Sequence, residues 1–413
     1  MNDLLNNYAH VAGEDVIQHL QQLAAPLEGI RVVHVNSTRI GGGVAEILNK
    51  MVPLMSSLGL DVQWEVISGE AEFYQCTKSF HNALQGMPVE VSMPLRKAYE
   101  ATNEQTAEKH RQLLTEADVV IVHDPQPAAL LKFLPGRKGK WIWRCHIDVS
   151  RPYRPVWRYL KDFVSGYDGS VFSLVDFTQV LPHPQYLIPP SIDPLSEKNT
   201  DLAVGKVRAV LQEFGIDPRR PLIVQVSRFD RFKDPVGVIR AYRLTKRFIP
   251  QLQLVLAGGG ATDDPEGDAV LNEVREAAGD DPDIHVLLLP ADAHVTINAL
   301  QRAADIVLQK SIREGFGLTV SEAMWKGKPV IGGDTGGIRL QVSNHHTGFL
   351  VSTPEGAALR IQYLLRNREK LTQMGEKARN FVRDNFLLTR QVREYLTIIL
   401  GMLRGTGERM EIS

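Results

Sequence analysis

The amino-acid sequence predicts an α/β fold with two doubly wound domains in tandem, whose facing strand edges would enclose a cleft. Short apolar, β-branched segments alternate with helix-forming stretches, an order typical of parallel sheets covered by helices. A proline-rich segment at residues 188–194 interrupts this alternation, and a second alternating series follows it. The length of 413 residues is sufficient for two or three domains. We therefore expect domains over residues 1–190 and 191–385.

Composition and charge disfavour several broad classes of function. Hydrophobic residues make up 43% and charged residues 23% of the chain, and the net charge is −1, so no basic field favours nucleic acid or a membrane surface. Cys76 and Cys145 lack metal-ligand spacing and are expected to be buried, reduced thiols. The N-terminal residues show no signal-peptide pattern, and no run of about 18 apolar residues occurs. We therefore expect a cytoplasmic protein.

The first domain is predicted to contain a buried strand at residues 30–35 and a helix at residues 44–58. Between them lies the segment NSTRIGGG at residues 36–43. Glycines such as Gly42 and Gly43 let the backbone approach a ligand closely, although a tight turn with a positive φ angle would also explain them. The spacing differs from GxGxxG, which argues against a dinucleotide-dependent dehydrogenase.

Polar residues follow two further strands of the first domain. Strands are predicted at residues 62–67, 119–123, 141–147 and 170–174. His123 and Asp124 follow one of them, and His146 follows another. A lone histidine or aspartate at a strand end is more often a structural hydrogen-bond partner. Polar groups at the carboxyl ends of two separate strands, however, favour a ligand site.

The second domain repeats the alternation of strands and helices. Strands are predicted at residues 222–226, 252–257, 284–289, 306–308 and 329–331, and helices at residues 234–247, 267–278 and 295–303. Arg228 and Lys233 lie in the turn between the first strand and its helix. A charged turn is usually a solvated surface, but cations at the carboxyl edge of a parallel strand also suit a phosphate group.

The most informative segment is the glycine loop KSIREGFGLTVSEAMWK at residues 310–326. An apolar run precedes it, Gly315 and Gly317 interrupt it, and a helix is predicted from Leu318 onwards. This layout directs backbone N–H groups at a phosphate near a helix N-terminus. Glu314 would repel a phosphate, so we expect it to accept hydrogen bonds from hydroxyl groups. A sugar with a phosphate leaving group supplies both kinds of partner.

Glu314 and Glu322, with Gly-Phe-Gly between them, resemble the E-x7-E signature of retaining, nucleotide-sugar-dependent glycosyltransferases. The segment KPVIGGDTGGI at residues 328–338 strengthens the resemblance. Members of that class have two Rossmann-like domains facing each other across a cleft, the GT-B architecture. For E-x7-E alone, two solvated acids in a loop and a helix are the simple alternative.

The resemblance implies a role for each matching residue. The implied catalytic set comprises Glu314, Arg228, Lys233 and His146, and the substrate-binding set comprises Gly42, Gly43, Gly317, Leu318, Thr319 and Glu322, with Asp124 on the acceptor side. Arg228, Lys233 and the amides of the helix would neutralise the leaving diphosphate, so neither a metal ion nor a cofactor is expected. Glu314 and His146 would contact the donor sugar, and Glu322 the ribose.

Several blocks of sequence resemble, more narrowly, the trehalose glycosyltransferring synthase family. They lie at residues 34–46 (HVNSTRIGGGVAE), 64–67 (WEVI), 78–86 (KSFHNALQG), 146–150 (HIDVS), 189–195 (PPSIDPL) and 309–331. The resemblance implies reversible transfer of glucose, with retention, from a nucleoside-diphosphate glucose to free glucose, giving α,α-trehalose. It also implies that a C-terminal helix at residues 386–404 rejoins the first domain.

Three rival functions share this architecture. A retaining trehalose phosphorylase would use phosphate in place of the nucleotide and would not need Glu322 near a ribose. A sugar-nucleotide epimerase would need no acceptor, and a catalytically silent sugar-nucleotide-binding module would not need Arg228, Lys233 and Glu314 together. The sequence leaves open the preferred base, the physiological direction and whether the protein is a homodimer.

Overall fold

Two α/β units share the chain in a computed structural model that describes residues 3–40, 42–259 and 265–405. The first unit runs to Ser191 and resumes at Leu388, and the second comprises Ile192–Leu387. From the sequence we expected these boundaries at 190–191 and 385–386. Gly41 of the expected glycine segment lies outside the described residues, as do residues 406–413.

The first unit is built on a parallel sheet. Its described strands are β1 (Arg31–Asn36), β2 (Asp61–Val66), β3 (Val119–His123), β4 (Lys140–Arg144), β5 (Gly169–Phe172) and β6 (Gln185–Leu187). Its first helices are α1 (Asp3–Ala12), α2 (Glu14–Ala24), α3 (Gly43–Ser57), α4 (Ala71–Leu84), α5 (Met93–Lys109), α6 (Arg111–Glu116) and α7 (Arg154–Val164). The spatial order β2-β1-β3-β4-β5-β6 reverses between β1 and β3. Ligands of doubly wound sheets bind at such a switch point.

The second unit has a similar plan. Its described strands are β7 (Leu222–Val226), β8 (Gln253–Gly259), β9 (Ile284–Leu289), β10 (Ile306–Gln309), β11 (Val330–Gly333) and β12 (Gly348–Val351). Its helices are α8 (Val204–Glu213), α9 (Pro235–Lys246), α10 (Pro265–Ala278), α11 (His294–Ala303), α12 (Leu318–Trp325), α13 (Ile338–Gln341), α14 (Pro354–Arg366) and α15 (Arg368–Asn385). In the order β12-β11-β10-β7-β8-β9, the switch point lies between β10 and β7.

The chain returns to the first unit as α16 (Leu388–Arg404), which packs against α2 and α3. Val392, Tyr395 and Leu396 are buried on its inner face, at the spacing expected of an amphipathic helix. Its first turn is fixed by Arg390, whose Nη2 donates hydrogen bonds of 2.8 and 3.1 Å to the carbonyl oxygens of Pro189 and Pro190. The two ends of the first unit are thereby joined.

Each predicted strand is present in the structure, although most of the strand ends differ by one to three residues. The strand predicted at residues 141–147 ends at Arg144, because the backbone N–H of His146 donates to Oδ1 of Asp124 at 2.7 Å instead of continuing the ladder. Two short strands, β6 and β12, were not predicted from the sequence; they have only three and four residues. Cys76 and Cys145 are buried free thiols, as expected.

Candidate functional site

The turn after β7 carries the two cations predicted to bind phosphate. Arg228 is exposed, and no hydrogen bond or ion pair links it to other described residues. Lys233 ends a short 3-10 helix (Arg231–Lys233) and is held at its carbonyl oxygen by Nε2 of Gln225 at 3.0 Å. Asp234 follows in the left-handed region at φ 50° and caps α9, accepting a 3.1 Å hydrogen bond from the N–H of Gly237. Hydrogen bonds therefore hold this turn in a defined conformation, unlike a charged segment that is merely solvated.

Glu314, after β10, meets Lys233 at the switch point of the second sheet. Nζ of Lys233 lies 2.7 Å from Oε2 of Glu314. The same oxygen accepts from Oγ of Ser311 at 3.0 Å and Nε2 of Gln309 at 3.4 Å. Within the described residues no donor contacts Oε1. The carboxylate is thus fixed by three partners on one oxygen, while the other oxygen is available to a ligand. We call Gln309, Ser311, Lys233, Glu314 and Gly317 the donor cluster.

The N-terminus of α12 lies against this carboxylate. Gly317 caps the helix at φ 82°, and a Cβ atom there would lie 3.1 Å from Cγ of Glu314. Glycine is therefore required both for the backbone angle and for the space. Leu318 and Thr319 follow as the first helical residues, whose N–H groups have no acceptor within the helix. A lysine, a carboxylate and free amides thus converge at one strand edge.

Three further contacts hold the donor cluster in place. The N–H of Ile312 donates to the carbonyl oxygen of Phe232 at 2.7 Å, and Lys310 forms an ion pair with Asp234. The glycine-rich segment after β11 packs on the other side, where a Cβ atom on Gly336 would lie 1.7 Å from the carbonyl oxygen of Glu314. The glycines quoted around residues 332–337 therefore support the loop of Glu314 by close backbone approach.

Glu322 lies within α12 and is 1% exposed. Its Oε1 is 3.8 Å from Nζ of Lys198, and its Oε2 accepts from Nε2 of Gln301 at 3.4 Å. Both contacts are long. Glu322 is therefore a buried, weakly paired carboxylate at the end of the site nearest α11.

In the first unit, three histidines form a row across neighbouring strands. Nδ1 of His34, in β1, lies 3.0 Å from Nε2 of His123, at the end of β3. Nδ1 of His123 lies 3.0 Å from Nε2 of His146, just after β4. The ring planes are inclined to each other by 28° and 19°, and the centroids are 5.3 Å apart in both pairs, so the rings meet edge to edge through these nitrogens. We call His34, His123 and His146 the histidine relay. His123 and His146 were predicted from the sequence to lie at strand ends near a ligand, but His34, which lies inside a strand, was not predicted as a site residue.

Asp124 fixes the backbone of the relay. It has φ 65°, and its Oδ1 accepts the 2.7 Å hydrogen bond from the N–H of His146. Burial raises the pKa of Asp124 to about 7, although the hydrogen bond from His146 and the charge of Arg144 both lower it. Burial lowers the pKa of His34 to about 4 and the pKa values of His123 and His146 well below the usual range. The relay is therefore neutral at pH 7.

The glycine segment of the first unit starts α3. Gly42 caps that helix at φ 81°, and both Gly42 and Gly43 are exposed. The preceding residues are anchored to Trp64, whose Nε1 donates to Oδ1 of Asn36 at 2.8 Å and whose ring lies 4.8 Å beneath the guanidinium of Arg39. The segment before the two glycines is therefore held in place, and the glycines themselves are exposed.

The structure therefore gathers the predicted residues into two groups. Lys233, Glu314 and Gly317 are in contact in the second unit, and Asp124 and His146 are in contact in the first. No group of three or more His, Cys, Asp or Glu side chains within the described residues is placed to hold a metal ion. No described helix is long and apolar enough to span a bilayer.

Comparison with known proteins gives matches over most of the chain. Residues 34–179 match a family described as "Trehalose synthase, N-terminal domain", and residues 207–381 match "Glycosyl transferases group 1". A trehalose synthase of Pyrococcus horikoshii is 45% identical over 399 residues, which cover 96% of this chain and 95% of that protein. A trehalose phosphorylase of Pleurotus pulmonarius is more distant, at 27% identity over 461 residues that cover 99% of this chain and 62% of that protein.

A solved structure supports the fold. An α,α-trehalose-phosphate synthase from Burkholderia xenovorans, in complex with glucose-6-phosphate, is similar with a TM-score of 0.72. The similarity covers 90% of this chain and 100% of that chain at 14% sequence identity. The prediction of a GT-B fold with two Rossmann-like units is confirmed.

Proposed function

Because the chain belongs to the trehalose synthase family of glycosyltransferases, we propose that it transfers glucose from a nucleoside-diphosphate glucose to free glucose. The product is α,α-trehalose, the donor anomer is retained, and the reaction also runs in reverse. The observation that carries the donor assignment is the ion pair between Lys233 and Glu314 at the N-terminus of α12. It puts a cation, free amides and a hydroxyl acceptor at one strand edge.

The donor cluster suits a sugar diphosphate for electrostatic reasons. Lys233 and the first amides of α12 would hold the diphosphate, and the exposed Arg228 would add a second cation. Charge grows on the diphosphate as the glycosidic bond breaks, so these groups stabilise the transition state more than the ground state. Oε1 of Glu314 would accept a hydrogen bond from a hydroxyl of the donor glucose. Glu322 would accept from the ribose.

Retention is best explained by attack on the face that the diphosphate leaves. The acceptor hydroxyl forms the new bond to C1 of glucose as the bond from C1 to the phosphate oxygen breaks. That oxygen takes the acceptor proton. Glu314 is not assigned as a nucleophile, because its Oε1 is assigned to a hydroxyl of the donor glucose and its Oε2 is bound by Lys233, Ser311 and Gln309.

Free glucose is the proposed acceptor. Residues 78–82 and Asp124 offer hydrogen-bonding groups suited to a neutral hexose. A 6-phosphate would require a cluster of cations with bidentate contacts, which these segments do not provide. Glucose should therefore outcompete glucose 6-phosphate in a mixed assay.

Incubation with nucleoside-diphosphate glucose, with and without glucose, tests the proposal. We expect nucleoside diphosphate and α,α-trehalose only when both substrates are present, and the same rate after treatment with a chelator. Cleavage of trehalose by inorganic phosphate would favour the phosphorylase, which a distant relative represents. Conversion of the donor sugar without acceptor would favour an epimerase. Either result would contradict the proposal.

A further inference from the structure

The histidine relay has a consequence for the way His146 contacts substrate. We propose that His123 is a positioning residue that holds His146 in the tautomer with the proton on Nδ1, so that His146 donates a hydrogen bond to a sugar hydroxyl. His34, at the buried end of the relay, sets the direction of the hydrogen bonds. The inference rests on the proposed function and on the contact between His146 and the donor sugar that the resemblance to the glycosyltransferase class implies.

The geometry leaves the relay only two proton arrangements. A neutral imidazole has one N–H and one acceptor nitrogen. Two contacts of 3.0 Å link the three rings through Nδ1 and Nε2. If Nδ1 of His34 carries the proton, His123 and His146 must also carry theirs on Nδ1. If Nε2 of His34 carries it, all three protons lie on Nε2.

The buried end of the relay distinguishes these arrangements. Nε2 of His34 is buried without a hydrogen-bond partner among the described residues, and His34 itself is fully buried. Orphaned N–H groups are rarer in protein interiors than acceptors with an unused lone pair. The arrangement that leaves Nε2 of His34 as a bare acceptor is therefore favoured. It places a proton on Nδ1 of His146, the one ring nitrogen of His146 without a protein partner in the described chain.

Burial disfavours protonation of the three imidazoles, which would put a proton on both nitrogens of a ring and remove the difference between donor and acceptor nitrogen. Burial lowers the pKa of His34 to about 4 and the pKa values of the other two histidines below their usual range. Asp124 holds the backbone of His146 from the other side, through its 2.7 Å hydrogen bond. His146 thus has a fixed position and a fixed donor.

The tautomer can be measured directly in the wild-type protein. Histidine labelled with ¹⁵N gives distinct resonances for protonated and bare ring nitrogens, and His146→Gln identifies the signals of His146. We expect Nδ1 of His146 to be protonated and Nε2 bare. The opposite assignment in the wild-type protein would overturn the inference without any activity measurement.

Two substitutions at His34 then separate the tautomer from packing. His34→Asp supplies an acceptor for Nε2–H of His123 and should reverse the relay, moving the proton of His146 to Nε2. His34→Phe removes a buried polar ring of similar size but leaves Nε2 of His123 as the bare end, so the tautomer of His146 should persist. We expect kcat/KM to fall about tenfold for His34→Asp, equivalent to about 1.4 kcal/mol, and by a smaller factor for His34→Phe.

Donor analogues provide a second measurement that a structural role would not change. A deoxyfluoro group accepts a hydrogen bond weakly but cannot donate one, whereas a deoxy group does neither. At the hydroxyl contacted by His146, the wild-type enzyme should bind the fluoro analogue more tightly than the deoxy analogue, measured as binding because fluorine itself slows glycosyl transfer. His34→Asp and His123→Phe should reduce that preference, and His34→Phe should retain it.

Equal loss of analogue preference in His34→Asp and His34→Phe, or a preference unchanged in His123→Phe, would show that the relay only fills space. Absence of turnover with every nucleoside-diphosphate glucose would instead defeat the proposed function. The ¹⁵N assignment tests the relay in that case too, because it requires no substrate.

Discussion

In the second unit a partly buried ion pair occupies the switch point of the sheet, whereas in the first unit the same position holds uncharged histidines. Lys233 and Glu314 are 2.7 Å apart and are supported by neutral donors. His34 and His123 contribute from β1 and β3 but are kept neutral by burial. Two sheets of similar topology thus present different electrostatics at corresponding strand ends.

The difference matches the two kinds of ligand that a sugar transferase handles. A diphosphate carries charge that increases during reaction, so fixed cations and helix amides are effective. Glucose is neutral, and its hydroxyls are distinguished by the direction of hydrogen bonds. A neutral histidine with one defined tautomer supplies such direction without an ion that would have to be desolvated.

The largest effect is expected when the ion pair between Lys233 and Glu314 is disrupted. Lys233→Ala leaves the 9%-exposed carboxylate of Glu314 without its cation. Breaking one side of a fully buried pair costs about 3–5 kcal/mol, so this partly buried pair should cost less than that. On the proposed function the leaving diphosphate loses a contact as well. We expect a lower melting temperature and a kcat reduced by at least about tenfold.

The double variant Lys233→Met with Glu314→Gln is the control, since it removes both charges. It should recover much of the stability but none of the activity. If Lys233→Ala left both melting temperature and kcat unchanged, the ion pair would be neither structural nor functional.

A smaller effect is expected at two glycines with positive φ angles, one in each unit. Gly317 lies in the left-handed region at φ 82° and ψ 73°, where alanine costs about 1–2 kcal/mol of backbone energy. Gly42, at φ 81° and ψ 155°, lies in a region that is essentially restricted to glycine, so its backbone cost differs. A Cβ atom would meet Cγ of Glu314 at 3.1 Å from Gly317 but nothing within 4 Å from Gly42. Denaturant unfolding should therefore show that Gly317→Ala loses more stability than the backbone cost alone. A loss of only about 1–2 kcal/mol would mean that the loop of Glu314 moves to accommodate the Cβ atom.

The donor cluster and the histidine relay also show which parts of the site could be predicted from the sequence. Lys233, Glu314 and Gly317 could be placed at a strand-to-helix edge because strand, glycine and helix follow one another locally. The contact between Lys233 and Glu314 spans 81 positions, and no local pattern reveals it. It depends on β10 lying beside β7, which follows from the strand order of the folded sheet.

The histidine relay was less predictable for the same reason. His123 and His146 follow predicted strands and were therefore selected, but His34 is the fourth residue of β1 and resembles any buried strand position. Its partner is 89 residues away. Similarly, β6 and β12 are too short to give a periodic pattern, so only pairing with a neighbouring strand defines them.

Arg228 gives a cleaner test of charge than Lys233 because it is exposed and unpaired among the described residues. Arg228→Ala should change stability by about 1 kcal/mol or less yet lower kcat about tenfold, the value of one hydrogen bond to a charged group. With α-glucosyl fluoride as donor no diphosphate departs, so the same substitution should matter far less. Equal losses with both donors would assign Arg228 to the sugar or to the fold.

The smallest effect is expected at Asp124, the titratable carboxyl group that accepts a hydrogen bond from the backbone of His146. Its pKa of about 7 is set by burial, against the N–H of His146 and the charge of Arg144, with His123 and Cys145 nearby. If the ionised form accepts a hydroxyl of the acceptor, glucose binds better above pH 7. Lowering the pH from 7 to 6 reduces the ionised fraction about fivefold, so KM for glucose should rise by about that factor.

The free energy of unfolding should fall as the pH rises, whereas glucose binding should improve. This difference in sign separates an effect on binding from an effect on folding. The folded-state pKa of Asp124 lies above its unfolded value of 3.8, so the native state binds the proton more tightly. The corresponding stability is complete below pH 4 and is lost as the pH rises towards 7. Asp124→Asn, which cannot ionise, should remove both slopes and leave KM for glucose independent of pH between 6 and 8. A KM that remained pH-dependent in Asp124→Asn would assign the titration to another group and leave Asp124 with only its hydrogen bond to His146.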